Sequence, residues 1–242
     1  MKIIEANGLH YRQLNEIIRE AIKNGEQEFK IIGATGQRYI AAGIKNKIKI
    51  VIEGTPGNDL GAFMQGPYIE VIGNGQDGIG NTMSDGKIII HGRAGDIIGY
   101  GMRGGEIFIR DEVGYRVGIH MKAYDNLRPV IVIGDSAKDF LGEYMAGGLI
   151  IVLNLRGTVP IGKYCGTGMH GGKIYVRGDI DEHLLGKEVS ITPLSEEDES
   201  ELAGYISQYF ELFGVKRGNV SLEEFKKISP RSHRPYGSLY TH

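Results

Sequence analysis

Three stretches of the chain have the spacing G-x-G-x-x-G that can cradle the pyrophosphate of a dinucleotide: Gly73-Asn74-Gly75-Gln76-Asp77-Gly78, Gly99-Tyr100-Gly101-Met102-Arg103-Gly104 and Gly166-Thr167-Gly168-Met169-His170-Gly171. That chemistry needs a strand before the glycines and a helix after them, so that the helix N-terminus meets the phosphates. Each stretch runs instead into a segment of strand length, such as Glu106-Ile107-Phe108-Ile109. The matches are by-products of a repeat. Zinc is a second possibility, and it would need His91, His120 and His170 to converge. Relative to the nearest repeated methionine they stand at +8, −1 and +1, which predicts solvent-facing turn histidines. Asp77, Asp96 and Asp135 recur in turns and could be mistaken for carboxylates that cleave a sugar chain, a reaction needing two of them about 5–10 Å apart. Aspartate in a turn also bonds its own backbone, which accounts for the recurrence more simply. Cys165 has His170 nearby but no third group to orient the pair, so it reads as a buried or turn thiol. No catalytic, cofactor-binding or metal-ligating residue is assigned.

The elements that carry these residues form a repeat. Aligned on one glycine, the copies read Leu60-Gly61-Ala62-Phe63-Met64, Ile79-Gly80-Asn81-Thr82-Met83, Ile98-Gly99-Tyr100-Gly101-Met102, Val117-Gly118-Ile119-His120-Met121 and Leu141-Gly142-Glu143-Tyr144-Met145, with a looser copy at Gly166-Thr167-Gly168-Met169. Successive methionines are 19, 19, 19, 24 and 24 residues apart, and of the 7 in the chain only Met1 lies outside this slot. A strand-length segment follows each slot, with no helix-length segment between strands. A period near 20 of this kind means a solenoid of strands and turns. Glycine tolerates the left-handed backbone of a sharp corner, and methionine fits an irregular interior. We therefore expect a mainly β fold, a right-handed parallel β-helix of six or seven coils over residues 46–180. The insertions that lengthen two copies, Lys122 to Pro129 and one around Val159 to Thr167, are expected as loops on a binding face.

Residues 1–45 read as a helix (Leu14, Ile17, Ile18, Ala21 and Ile22 at helical spacing) with short strands at Glu28–Ile32 and Gln37–Ile44. In residues 181–242, Ser195 opens a helix with the stripe Leu202, Ile206, Tyr209, Phe213 and the stop Gly214, and Ser221 opens a second short helix. The terminal helices are expected to cap or flank the solenoid ends. Arg231, Arg234 and Tyr236 in the basic tail are candidate partner anchors. The 38 glycines are about double ordinary usage. A net charge of −2 gives no footprint for nucleic acid or anionic membrane, and one cysteine suits a reducing cytoplasm. No signal segment and no membrane-spanning apolar run is evident.

The repeat resembles the GXGXG domain, the β-helix of the glutamate synthase large subunit. The likeness rests on Gly54-Thr55-Pro56-Gly57 running into Leu60-Gly61-Ala62-Phe63, on Gly80 to Ile90, on Gly101-Met102-Arg103-Gly104-Gly105 and on Gly142-Glu143-Tyr144-Met145-Ala146-Gly147-Gly148. It extends to the flanks, Gly8-Leu9-His10-Tyr11-Arg12-Gln13-Leu14-Asn15 in front and Ile191-Thr192-Pro193-Leu194 with Phe225 to Pro230 behind. The resemblance implies a stand-alone structural subunit with no cofactor of its own. Its partners would be a glutamine amidotransferase chain and a glutamate synthase chain holding FMN and an iron–sulfur cluster; self-association of the isolated chain stays open. It implies a cytoplasmic oxidoreductase complex of nitrogen metabolism that makes glutamate from glutamine and 2-oxoglutarate. A related domain occurs in the C subunit of formylmethanofuran dehydrogenase, and that alternative stays open. So does an independent left-handed β-helix acyltransferase or zinc enzyme, although those folds use coils of 18 residues.

Overall fold

The computed structural model describes residues 1–215, 218 and 220–231. Nine strands follow in chain order: β1 (Lys2–Glu5), β2 (Glu28–Thr35), β3 (Lys49–Thr55), β4 (Gln65–Ile72), β5 (Asp85–Ile90), β6 (Glu106–Ile109), β7 (Val130–Ile133), β8 (Ala146–Val152) and β9 (Gly171–Arg177). Each pairs in parallel with the next, giving a mainly β solenoid of about seven turns. The alternation fixes which residues point inward, because a one-residue slip would turn every side chain to the other face. Ile50, Ile69, Ile88, Ile107, Ile131, Ile150 and Ile174 therefore stack as one fully buried column. Ile52, Val71, Ile90, Ile109, Ile133, Val152 and Val176 form a second. Burying each such side chain contributes roughly 1.5–3 kcal/mol. All six repeated methionines are buried in the same interior.

The ladder runs through residue 46 without a break, so β1 and β2 are themselves rungs. Between them lies α1 (Tyr11–Lys23), capped by His10, whose ring accepts from Arg12 N–H while Gln13 accepts from His10 N–H. The helix buries Leu14, Ile18 and Ala21 in the solenoid interior. It is tied to the first corner by Asn15 Nδ2 donating to Arg38 O at 3.0 Å and Arg19 Nη2 donating to Ala42 O at 2.5 Å. The expected strand at 37–44 is not formed. Gly61 N–H donates to Ile40 O, and Gln65 N–H donates to Ile44 O, which makes these residues a corner with Ala41 in the glycine slot and Ile44 in the methionine slot.

Beyond β9 come β10 (Val189–Thr192), α2 (Glu196–Phe213) and β11 (Phe225–Pro230). The ladder reverses there: β11 lies antiparallel against β9, and β10 antiparallel against β11. Ser195 caps α2 in a capping box with Asp198, and Gly214 ends it at φ 60°. The helix expected at Ser221 is a single 3₁₀ turn, Leu222–Glu224, although its capping box is present. Pairing of the next six residues, the first four with β9 and the last four with β10, wins over further helix.

Rather than capping an end, α2 lies along the outside of the sheet. Leu202, Ile206, Tyr209 and Phe210 pack on Ile89, Phe108, Val132, Ile151 and Tyr175, the outward residues of β5 to β9. Asp198, 1% exposed, locks the contact by accepting from Lys173 Nζ (2.6 Å), Lys227 Nζ (2.5 Å) and Tyr175 Oη (2.6 Å). Desolvation pushes its carboxyl pKa up, but the hydrogen bonds from Lys173, Lys227, Ser195 N–H and Tyr175 prevail and hold it well below the usual carboxylate range.

Candidate functional site: the corner face

The structure does not bring the three histidines together. His91 Nε2 sits 2.9 Å from Glu70 on the outer sheet face, its ring edge-on to Phe213. His120 lies in a corner between Tyr100 and Tyr144. His170 places Nδ1 3.1 Å from Gly168 O. Cys165 is fully buried, and burial pushes its thiol up to about 12, which keeps it protonated at neutral pH.

Asp77 and Asp96 do not bond their own turns. Asp77 Oδ1 accepts from Asp96 N–H, and Asp96 Oδ1 from Tyr115 N–H, each 19 residues on and each at 2.9 Å. Asp139 continues this coil-to-coil column by accepting from Lys163 N–H at 2.8 Å. Asp135 stands outside the column. It is buried, with Oδ2 3.5 Å from Arg156 Nη1 and Oδ1 without a hydrogen-bond partner. It borders a cleft of ≈ 620 Å³ with Arg110, Asp111, Arg156, Tyr209 and Phe210.

The two insertions emerge at opposite ends of the strands, one before β7 and one after β8, so they do not share a face. In the first, Tyr124 and Leu127 pair as a small hairpin, both exposed, and Arg128 is clasped by Glu201 of α2. In the second, the five extra residues fall within 154–159 rather than Val159 to Thr167. Asn154 closes that loop with two 3.0 Å bonds to Thr158. It rims an open cleft of ≈ 940 Å³ with Arg177, Asp179, Asp181 and Glu224. Arg231 is held by the backbone of Glu188 and Val189. Arg234 and Tyr236 lie outside the described residues.

The corners carry the distinctive geometry. In each, three alternate residues have left-handed φ, as in Asp59 (60°), Gly61 (67°) and Phe63 (57°). Neighbouring N–H groups thereby point to different coils: Gly99 N–H donates back to Ile79 O, while Ile97 N–H donates forward to Tyr115 O. This pairs the corner backbone coil to coil, as burial of polar groups demands. The central glycine is needed on two counts. At Gly99, φ is +67°, and an added Cβ would lie 2.5 Å from Ile131 Cδ1.

The two flanking left-handed positions are different. Gly78, Gly101 and Gly168 occupy some of them, yet elsewhere the chain places Tyr39, Phe63, Ile97, Arg116, His120, Phe140, Tyr144 and Tyr164 there. A non-glycine residue in this region costs about 1–2 kcal/mol. The result is a row of rings on the surface, stacked from coil to coil: His120 on Tyr144 at 5.3 Å and Phe140 on Tyr164 at 5.0 Å. Arg116 lies 4.5 Å over Phe140 and pairs with the buried Glu143. Sequence reasoning missed this face, although aromatics recurring on either side of the slot glycine were visible.

A family model described as GXGXG motif matches residues 12–234. The chain belongs to the GXGXG family. Among relatives of this GXGXG protein, an uncharacterized protein of Methanocaldococcus jannaschii is 50% identical over 251 residues, covering 99% of this chain and 96% of that one. Ferredoxin-dependent glutamate synthase 2 of Synechocystis is 27% identical over 204 residues, which is 80% of this chain but only 13% of that protein. The chain thus corresponds to a small part of a much longer relative. A chain in the crystal structure of the formyltransferase/hydrolase complex (FhcABCD) from Methylorubrum extorquens with methylofuran shares the fold. The TM-score is 0.60 at 23% identity, over 81% of this chain and 70% of that one. No helix among the described residues is long and apolar enough to cross a membrane.

Proposed function

We propose that this chain is a non-catalytic scaffold subunit of a glutamate synthase assembly in the cytoplasm. There it holds a glutamine amidotransferase chain against a synthase chain that carries FMN and an iron–sulfur cluster. The supporting observation is the match itself: 80% of the chain aligns, at 27% identity, with 13% of a glutamate synthase. The solenoid suits that role. Its interior is packed with isoleucine and methionine, and its corner face displays aromatics that the interior does not need.

A second reading makes the chain a component of a formyl-transferring complex, a role supported by the fold shared over 70% of a chain from such a complex. Purification of the tagged chain from its native cells, with partners identified by mass spectrometry, separates the two. Co-purification of an amidotransferase and a flavin, iron–sulfur protein is the expected result. Recovery of formyltransferase or hydrolase chains would replace the first reading by the second, and recovery of the chain alone would overturn both.

A further inference from the structure

We infer that the corner face over the C-terminal coils is the docking surface for a folded partner subunit, one that presents carboxylates around an apolar centre. The inference rests on the scaffold reading and adds which face is used and what chemistry the partner brings. Across four successive corners Tyr100, His120 and Tyr144 form one column of touching rings, and Phe140 with Tyr164 forms a second on the other side of the slot glycine; Tyr100, Tyr115, Tyr144 and Tyr164 are each 41–53% exposed. Scattered exposed apolar residues are ordinary, but a contiguous aromatic patch marks an interaction site. His120, Phe140, Tyr144 and Tyr164 also occupy left-handed backbone, in slots that the same chain fills with glycine at 101 and 168 (the slot of His120 and Tyr144) and at 78 (the slot of Phe140 and Tyr164). Strained residues that the fold does not require point to a use outside the fold.

Charge identifies the occupant. Lys122, Lys138 and Lys163 follow or precede these rings in the chain, and among the described residues none of the three forms an ion pair. The acids of the same corners are occupied internally: Asp96 by Tyr115 N–H, Asp139 by Lys163 N–H, and Glu143 by Arg116. The face therefore offers three unpaired lysines, while its acids are turned to backbone N–H groups or to Arg116. The rings stack with interplanar angles of 12° and 18°, so their faces cover one another and their edges point outward. Ring edges carry the positive end of the aromatic quadrupole, which adds to the preference for carboxylates. Faces already stacked are poor platforms for nucleic-acid bases, which need a free π-face.

A photoreactive benzoylphenylalanine introduced at Tyr144, at Tyr164 and, as control, at exposed Ile72 on the outer sheet face tests the surface in native cells. The expected result is an adduct from the first two sites only. Its cross-linked peptide should be rich in Asp or Glu and belong to an amidotransferase or a flavin, iron–sulfur chain. An adduct through such a peptide to some other folded protein would keep the surface and overturn the glutamate synthase reading. Adducts to a second copy of the chain, to nucleic acid or to lipid, or no adduct, would overturn the inference. With the cross-linked partner purified, Tyr144→Gly and Tyr164→Gly should each weaken binding at least about 10-fold without lowering the melting temperature, because glycine suits the left-handed slot. The double variant Lys138→Glu/Lys163→Glu should weaken it similarly and flatten its salt dependence. Unchanged affinity in all of these would sink the proposal.

Discussion

Substituting Gly99 by alanine isolates the force that makes glycine obligatory in the corners. At φ +67° an alanine pays about 1–2 kcal/mol of backbone strain. Its Cβ would also stand 2.5 Å from Ile131 Cδ1, an overpacking that costs roughly 1–3 kcal/mol. Restriction of the unfolded chain returns about 0.4–1 kcal/mol, leaving a net loss of about 1–5 kcal/mol, centred near 3. Gly101→Ala is the control, since φ is +57° there but the nearest heavy atom, Thr82 Oγ1, is 3.5 Å away. That variant should lose only about 1 kcal/mol, from the backbone alone. Ile131→Val removes the clashing methyl and alone costs about 0.5–1.5 kcal/mol. With Cδ1 gone, the nearest neighbours of the new Cβ are Ile131 Cγ1 and Met102 Sδ, each at 3.5 Å, an ordinary contact. The double variant Gly99→Ala/Ile131→Val should therefore be no less stable than Gly99→Ala, a coupling of about 1–2 kcal/mol in a double-mutant cycle. Urea unfolding followed by far-ultraviolet circular dichroism and by fluorescence of the 13 tyrosines, with no tryptophan to dominate the signal, measures the wild type and the four variants. Equal losses for Gly99→Ala and Gly101→Ala, or strict additivity in the cycle, would refute the packing account and leave only the dihedral.

Asp198→Asn leaves two lysines without their buried carboxylate and should cost about 3–5 kcal/mol, read as a lower urea midpoint and faster hydrogen exchange in α2. Because the folded carboxyl titrates below its unfolded value near 3.9, its contribution is complete above about pH 4 and declines as the pH falls further. An acid titration of stability should show this component in the wild type and lack it in Asp198→Asn. Tyr209→Phe removes the 2.6 Å bond to Arg110 O and should cost about 1–2 kcal/mol in the same assay. Cys165, buried with its thiol raised to about 12, should react with a disulfide reagent at pH 8 only as fast as the protein opens. A fast native reaction would contradict the burial.

The interior was legible because its determinants are local and periodic. The slot glycine and methionine recur at one spacing, the strands alternate, and Ser195 and Gly214 bound α2 where a cap and a stop are expected. What escaped depends on contacts distant in sequence. Phe108 follows the alternation outward but is buried, because α2 arrives about a hundred residues later to cover it. The unalternating run Val130-Ile131-Val132-Ile133 carried that message, since a strand apolar on both parities is covered on both faces. The corner at 37–44 was hidden because alanine and isoleucine replace the signature residues. At the candidate site, ring stacking between coils was beyond reach, for bulky residues are the last expected in left-handed backbone.

The footing of α2 also determines where this molecule can change in length. Its apolar side meets β5 to β9, so a 19-residue unit gained or lost there would slide the helix off its seat by one rung, about 4.8 Å. The rungs β2 and β3 bear no such overlay, and their outward residues include Lys30, Lys49 and Glu53. Extra turns can be spliced in on that side at little cost. The solenoid is thus a ruler fixed at one end and adjustable at the other, and homologous chains of different length should differ by whole coils ahead of β4.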